Sequence, residues 1–207
     1  MKKQCLLLLV IVLSPLAAFA QYFPSQVWHE GELTLLDGEK LRGKLMYNLD
    51  ADVVQLNTTN TVQTYSARKI LYFEFYDQEY ERYRQFYALP YEGTSNYKVP
   101  RLFEVLLENT LTLLCREEIV QDNVPQLGYY NYYGNRMGTR QRLSFDYFFL
   151  DRNGEIVRYS QKKDDLYDIM DNHQREMRKY IKQNRLKHDR QGDLVRITAY
   201  YNTLLNS

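Results

Sequence analysis

Cysteine, histidine and tryptophan are scarce in this 207-residue chain, at two, three and one residues, and the scarcity excludes a good deal of chemistry. His29, His173 and His188 form no His-x-x-x-His or His-Glu-x-x-His arrangement, and there is no Cys-x-x-Cys pair, so the sequence offers no metal site and implies no cofactor. No Gly-x-Ser-x-Gly elbow marks a serine nucleophile, and no glycine-rich loop is placed to cradle a phosphate. No residue is assigned as catalytic. A charge excess of one sign is also missing. Lys and Arg total 27 against 26 Asp and Glu, which argues against nucleic acid or an anionic membrane as a whole-chain partner.

The N-terminus reads as an export signal. Lys2 and Lys3 precede the unbroken apolar run Leu6 to Leu13, and Ala18-Phe19-Ala20 places small residues where a signal peptidase reads. The apolar stretch is interrupted by Ser14-Pro15 and is too short for a comfortable membrane span. Cleavage after Ala20 makes residues 1–20 a signal peptide with no transmembrane span after it, and it leaves 25 basic against 26 acidic residues. Gln21 rather than Cys follows the cleavage point, so no lipid anchor is expected. Cys115 becomes the sole thiol, which excludes an intramolecular disulfide. Its setting in Leu111-Thr112-Leu113-Leu114-Cys115 predicts a buried strand residue sharing a face with Leu111 and Leu113.

What the chain does have is tyrosine: 20 residues, all after position 20. From Trp28 to about Tyr159 it reads as strands. Leu33 and Leu35 lead to the hairpin signal Asp37-Gly38, followed by Leu41, Leu45 and Tyr47 alternating with Arg42, Lys44 and Met46, where Gly43 suggests a bulge or tight curvature. Further strands are expected at Val53 to Leu56, Val62 to Tyr65, Ile70 to Asp77 and Tyr80 to Tyr87. In the third of these, Leu71, Phe73 and Phe75 would face the core. A second block pairs Leu102 to Glu108 with Leu111 to Arg116, and Leu143 to Leu150 with Glu155 to Tyr159 through the turn Asp151-Arg152-Asn153-Gly154. After residue 160 the apolar period lengthens: Leu166, Ile169, Met170, His173, Met177, Tyr180 and Ile181 form one helical stripe, and Leu194, Ile197, Tyr201 and Leu204 a second. The reading is α+β, an antiparallel, strongly curved sheet or small barrel followed by a C-terminal two-helix hairpin. The β-rich body spans 21–160 and the helical hairpin 161–207 of one unit; the alternative is two domains joined at Leu89 to Pro100.

Within the body, a long connection at about 120–139 carries Gly128-Tyr129-Tyr130-Asn131-Tyr132-Tyr133-Gly134-Asn135, with Arg136, Arg140 and Arg142 close behind. Tyrosine offers a flat apolar ring with a polar tip at low conformational cost. Tyr129, Tyr130, Tyr132 and Tyr133 are therefore the candidate binding residues, for a sugar ring or a partner protein. Seven Lys or Arg fall between Arg175 and Arg190, but Asp164, Asp165, Asp168 and Asp171 stand toward the start of the same expected helix, an ordinary match to its dipole. Glu74, Glu104 and Asp146 lie on expected strands and are the candidates for a carboxylate pair of the glycosidase kind.

The Trp28…Gly31-Glu32-Leu33-Thr34-Leu35…Asp37-Gly38…Leu41-Arg42-Gly43-Lys44-Leu45-Met46-Tyr47 opening, the Tyr72-Phe73-Glu74-Phe75 strand and the terminal Asp193-Leu194-Val195-Arg196…Tyr200-Tyr201-Asn202 helix resemble uncharacterised exported proteins of the Bacteroidota. That resemblance implies a Gram-negative envelope setting, periplasmic or outer-membrane-associated, and transfers no catalytic residue. The expected function is a non-enzymatic binding or interaction module with an envelope protein or glycan as partner. The alternative is a polysaccharide-directed hydrolase using paired carboxylates.

Overall fold

The computed structural model describes residues 23–59, 61–93, 97–125 and 137–206. A short 3-10 turn at Pro24–Gln26 leads into β1 (His29–Leu35), β2 (Lys40–Asn48), β3 (Val53–Thr58), β4 (Thr61–Ser66), β5 (Ile70–Asp77) and β6 (Arg82–Tyr91). Then come β7 (Val99–Leu107), β8 (Thr112–Pro125), β9 (Met137–Leu150) and β10 (Ile156–Tyr159). The C-terminal part holds α1 (Lys163–Ile169), a 3-10 turn (Asp171–His173), α2 (Gln174–Gln183) and α3 (Gln191–Leu205).

Among the described residues ten strands join one antiparallel sheet in the order β10-β9-β8-β7-β6-β5-β1-β2-β3-β4. The turn chemistry is local. Gly38 adopts φ 90° and Asp37 Oδ1 accepts from the Glu39 amide at 3.0 Å, which closes β1 onto β2. The one non-sequential neighbour pair is β1 with β5, and it places β5, whose two faces both carry aromatics, in the middle of the sheet. The expected alternative of a small barrel is corrected: the sheet is open, with β4 and β10 at its ends. Inserting β1 between β5 and β2 leaves β4 a single strand partner, while β10 has four residues and runs into the helices.

Three local expectations also change. The connection at 120–139 is shorter than its sequence suggests, because β8 continues to Pro125 and β9 begins at Met137, paired residue by residue through Val124–Gly138. Gln121, Asn123, Arg140, Gln141 and Arg142 are all exposed, so this ribbon shows no apolar alternation to read. Leu71 is exposed and Ile70 is buried in its place. Thr34 pairs with Tyr72 and Leu35 with Ile70, which leaves Leu71 as the extra residue of a bulge. Finally, the first helical stripe is broken. Met170 adopts φ −107° and ψ 39°, and Asp171-Asn172-His173, three weak helix formers, make a 3-10 turn. Among the described residues the helical part is thus three α-helices rather than two. The acidic residues Asp164 and Asp165 lie in α1, and the basic residues begin in α2.

Apolar side chains gather in two main clusters. Leu33, Leu45, Val54, Leu56, Phe73, Phe75 and Phe86 pack together inside β1 to β6. Leu113, Cys115, Tyr147 and Phe149 pack against Leu166, Met177, Leu194, Ile197 and Tyr201 from the helices. Full burial of such side chains contributes roughly 1.5–3 kcal/mol each. Leu89, Pro90 and Tyr91 pair with Arg101, Pro100 and Val99, so both ends of the Leu89 to Pro100 segment are strand.

Gly31 and Gly43 are cross-strand partners. A Cβ on Gly31 would stand 2.3 Å from the Glu74 carbonyl oxygen, and one on Gly43 2.6 Å from that of Asn57. Neighbouring backbone fills the space, so the sheet itself must shift. Gly31→Ala is expected to lose about 1–3 kcal/mol, read as a lowered urea midpoint with an unchanged slope; a midpoint equal to wild type would show that the strands separate freely there.

Candidate functional site

Between the two apolar clusters lies a layer of charge. Arg84 on β6 sits opposite Phe75 of β5, and its strand alternation turns it inward with Phe86. Its guanidinium meets Glu104 of β7, Glu117 of β8, Asp77 of β5 and the hydroxyl of Tyr47 on β2. Arg84 Nε donates to Glu104 Oε1 at 3.0 Å, and Nη2 reaches both Glu104 Oε2 at 2.7 Å and Glu117 Oε2 at 2.8 Å. Nη1 donates to Tyr47 Oη at 3.0 Å and Asp77 Oδ2 at 3.3 Å. Arg82, partly exposed, adds a bond to Glu104 Oε1 at 2.8 Å. Tyr47 Oη in turn donates to Glu117 Oε1 at 2.6 Å. The guanidinium also lies over the Phe86 ring, 5.1 Å from its centre.

Burial opposes the charge on Arg84, but the facing carboxylates of Glu104 and Glu117 outweigh it and raise its pKa further. Burial likewise lifts the Tyr47 hydroxyl well above its ordinary value, which keeps it a donor to Glu117. Asp77 serves the turn as well: its Oδ1 accepts from the amides of Glu79 at 3.0 Å and Tyr80 at 3.3 Å. Every carboxylate of the layer is engaged by a cation, and three carboxylates face two guanidiniums.

A cavity of about 390 Å³ opens between this layer and the first turn of α3, lined by Tyr80, Arg82, Arg84, Glu117, Phe145 and Gly192 among others. A smaller one of about 190 Å³ lies where Tyr47 and Glu117 meet Ser25 and Asn48. Glu117 lines both. Charged and apolar walls together suit a small polar ligand, but both oxygens of Glu117 already carry hydrogen bonds.

The opposite face of β5 and β6 is different. Tyr72 stacks on its cross-strand partner Tyr87 with ring centres 5.3 Å apart, and Tyr76 meets Tyr83 edge-to-face at 5.2 Å. Glu74 and Gln85, bonded at 3.3 Å, stand between the two pairs. Tyr83 is 75% exposed and Tyr76 43%. The result is a ladder of rings with a polar rung.

The residues singled out from the sequence fare differently. Tyr129, Tyr130, Tyr132 and Tyr133 lie outside the described residues. Glu74, Glu104 and Asp146 are not brought together: Glu74 bonds Gln85, Asp146 pairs with Arg158, and Glu104 joins Arg84. His29 Nε2 lies 2.7 Å from the Pro24 carbonyl oxygen, His173 meets the Tyr201 ring, and His188 Nδ1 lies 3.1 Å from Tyr159 Oη. Among the described residues no group of three His, Cys, Asp or Glu could hold a metal ion. Cys115 is buried, and burial pushes its thiol well up, the reverse of an activated nucleophile. In the basic run, Arg178 covers the Tyr167 ring at 3.9 Å. Among the described residues no helix is long and apolar enough to cross a membrane. Of the charged layer, sequence singles out Glu104 alone; Arg84, Asp77 and Glu117 emerge only with the register that sets Phe75 opposite Arg84.

No protein-family model, curated protein or solved structure matches the chain.

Proposed function

We propose that this chain is an exported cell-envelope protein that binds rather than reacts, and that it takes a neutral glycan on the tyrosine ladder of β5 and β6. The ladder carries the reading. Its two ring pairs are four residues apart along the strands, about 13 Å at the usual rise, with Glu74 and Gln85 between them to meet hydroxyl groups. Tyr129, Tyr130, Tyr132 and Tyr133 carry the same chemistry in the segment joining β8 to β9. Export rests on Lys2, Lys3, the Leu6 to Leu13 run and Ala18-Phe19-Ala20, and the envelope setting on the Bacteroidota resemblance.

Strong curvature of the sheet belongs to this reading, because it would turn the ladder outward on a convex face. Ser66 and Ile70 are four residues apart, a reach of at most about 14 Å. Their strands stand four positions apart in the sheet order, about 19 Å if flat. A helical hairpin of α2 and α3 behind the other half is supported by the stacking of Tyr180 on Tyr200 at 3.8 Å.

The test is calorimetric titration of neutral oligosaccharides and envelope polysaccharide into the protein and into the double variant Tyr76→Ser, Tyr83→Ser. The variant is expected to bind at least about tenfold more weakly, at least about 1.4 kcal/mol, with an unchanged melting temperature. Equal binding by variant and wild type, or no glycan bound by either, overturns the proposal. The hydrolase remains the second reading, favoured by Glu117 lining the larger cavity beside two guanidiniums; reducing-end release lost in Glu117→Gln would establish it.

A further inference from the structure

The two ends of the sheet are guarded unequally. β10 is four residues long, its Arg158 pairs with Asp146, and α1 follows within a few residues. Short length and charge are ordinary protections for an unpaired edge. β4, Thr61-Val62-Gln63-Thr64-Tyr65-Ser66, has neither charge nor proline, and five of its six residues are exposed. Among the described residues no strand lies on its outer side.

The hydrogen-bond alternation fixes which groups face outward. Beyond the Val53–Ser66 pair, the Ala67 amide donates to the Asp52 carbonyl at 2.8 Å. Antiparallel bonding alternates from that point, so Tyr65 and Gln63 turn their amides and carbonyls toward β3. Ser66, Thr64 and Val62 turn theirs away. Three main-chain donors and the carbonyls of Val62 and Thr64 therefore line one edge at two-residue intervals, the pattern that an added antiparallel strand satisfies, while the Ser66 carbonyl already accepts from the Lys69 amide at 2.9 Å.

We propose that β4 pairs with β4 of a second copy of this chain across a twofold axis, joining two sheets edge to edge. The symmetric register sets Thr64 opposite the partner's Thr64, a pair that exchanges two main-chain bonds, and Val62 opposite the partner's Ser66, where the Ser66 amide donates to the Val62 carbonyl. Electrostatics allows this occupant: a chargeless strand meets its own copy with no like charges opposed, whereas a charged edge would repel its twin. The twofold consumes both edges at once, so assembly closes at the dimer. Val62, 53% exposed in the single chain, is partly covered by the joined strand.

Sedimentation across a concentration series tests this directly. Wild type is expected to show a reversible monomer–dimer equilibrium. Thr64→Lys, which sets two cations opposite each other, and Thr64→Pro, which deletes an outward donor while sparing the bonds to β3, should each raise the dissociation constant by about tenfold or more. Val157→Lys on β10 should leave it unchanged. Circular dichroism and melting temperature identify a variant that fails to fold, and either Thr64 variant alone suffices. A wild type that stays monomeric to its solubility limit overturns the proposal, as does a dimer that both folded Thr64 variants retain.

Discussion

Replacing Arg84 by Met is expected to destabilise the protein by about 3–5 kcal/mol. The side chain is 2% exposed, and the carboxylates it bonds, Glu104 and Glu117, are equally buried, with Asp77 fully so. Removing the cation leaves three negative groups facing one another away from water, with only the partly exposed Arg82 to answer them. Methionine fills much of the volume, so the loss measures orphaned charge rather than a cavity. Urea unfolding provides the number, and a loss below about 1 kcal/mol would mean that the carboxylates need no cation there. Arg84→Lys should recover only a fraction, because one ammonium cannot span the contacts a forked guanidinium makes.

The second large effect is expected at Asp52. Pairing between β7 and β8 ends toward β3 at Glu104–Cys115, and beyond it the two strands part. Asp52, in the β2–β3 turn, fills the gap. Its Oδ1 accepts from the Leu102 amide at 2.8 Å and Arg116 Nη1 at 2.9 Å, and its Oδ2 from Arg101 Nη1 at 2.9 Å. Arg116 also reaches the carbonyls of Leu102 and Leu49. Asp52→Ala strips a buried amide and a largely buried guanidinium of their acceptor, and it places alanine at φ 52°. A loss of about 2–4 kcal/mol follows. Asp52→Asn, which tolerates that backbone and keeps one acceptor oxygen, should lose less. Thermal melts of the two variants settle the order; equal losses would assign the effect to charge alone.

These two sites mark where the sequence was legible and where it was not. Alternation in β2 and the 3.6-residue stripe in α3 announce themselves, because each has a wetter and a drier face. Leu194, Ile197 and Tyr201 are buried as that stripe requires. The far halves of β8 and β9 are wet on both faces, so periodicity says nothing there. The inward turn of Arg84, Glu104 and Glu117 was hidden for the opposite reason. A charged residue on a strand reads as solvent-facing, and only long-range partners, 20 and 33 residues away in sequence, reveal that these three face inward. Asp52 has partners 49 to 64 residues away, beyond any local pattern. The tyrosine ladder was visible in composition but not in register.

The charged layer also bears on cooperativity. Two oily interiors in one chain could melt separately, since apolar contact is non-directional and neither needs the other. Here five strands meet at a single guanidinium, and parting the halves exposes ions that have partners only while both stand. Loosening either half therefore orphans charge in the other. The chain should unfold in one step, and native-state hydrogen exchange should find the backbone flanking Phe86 and Cys115 opening only with the whole molecule.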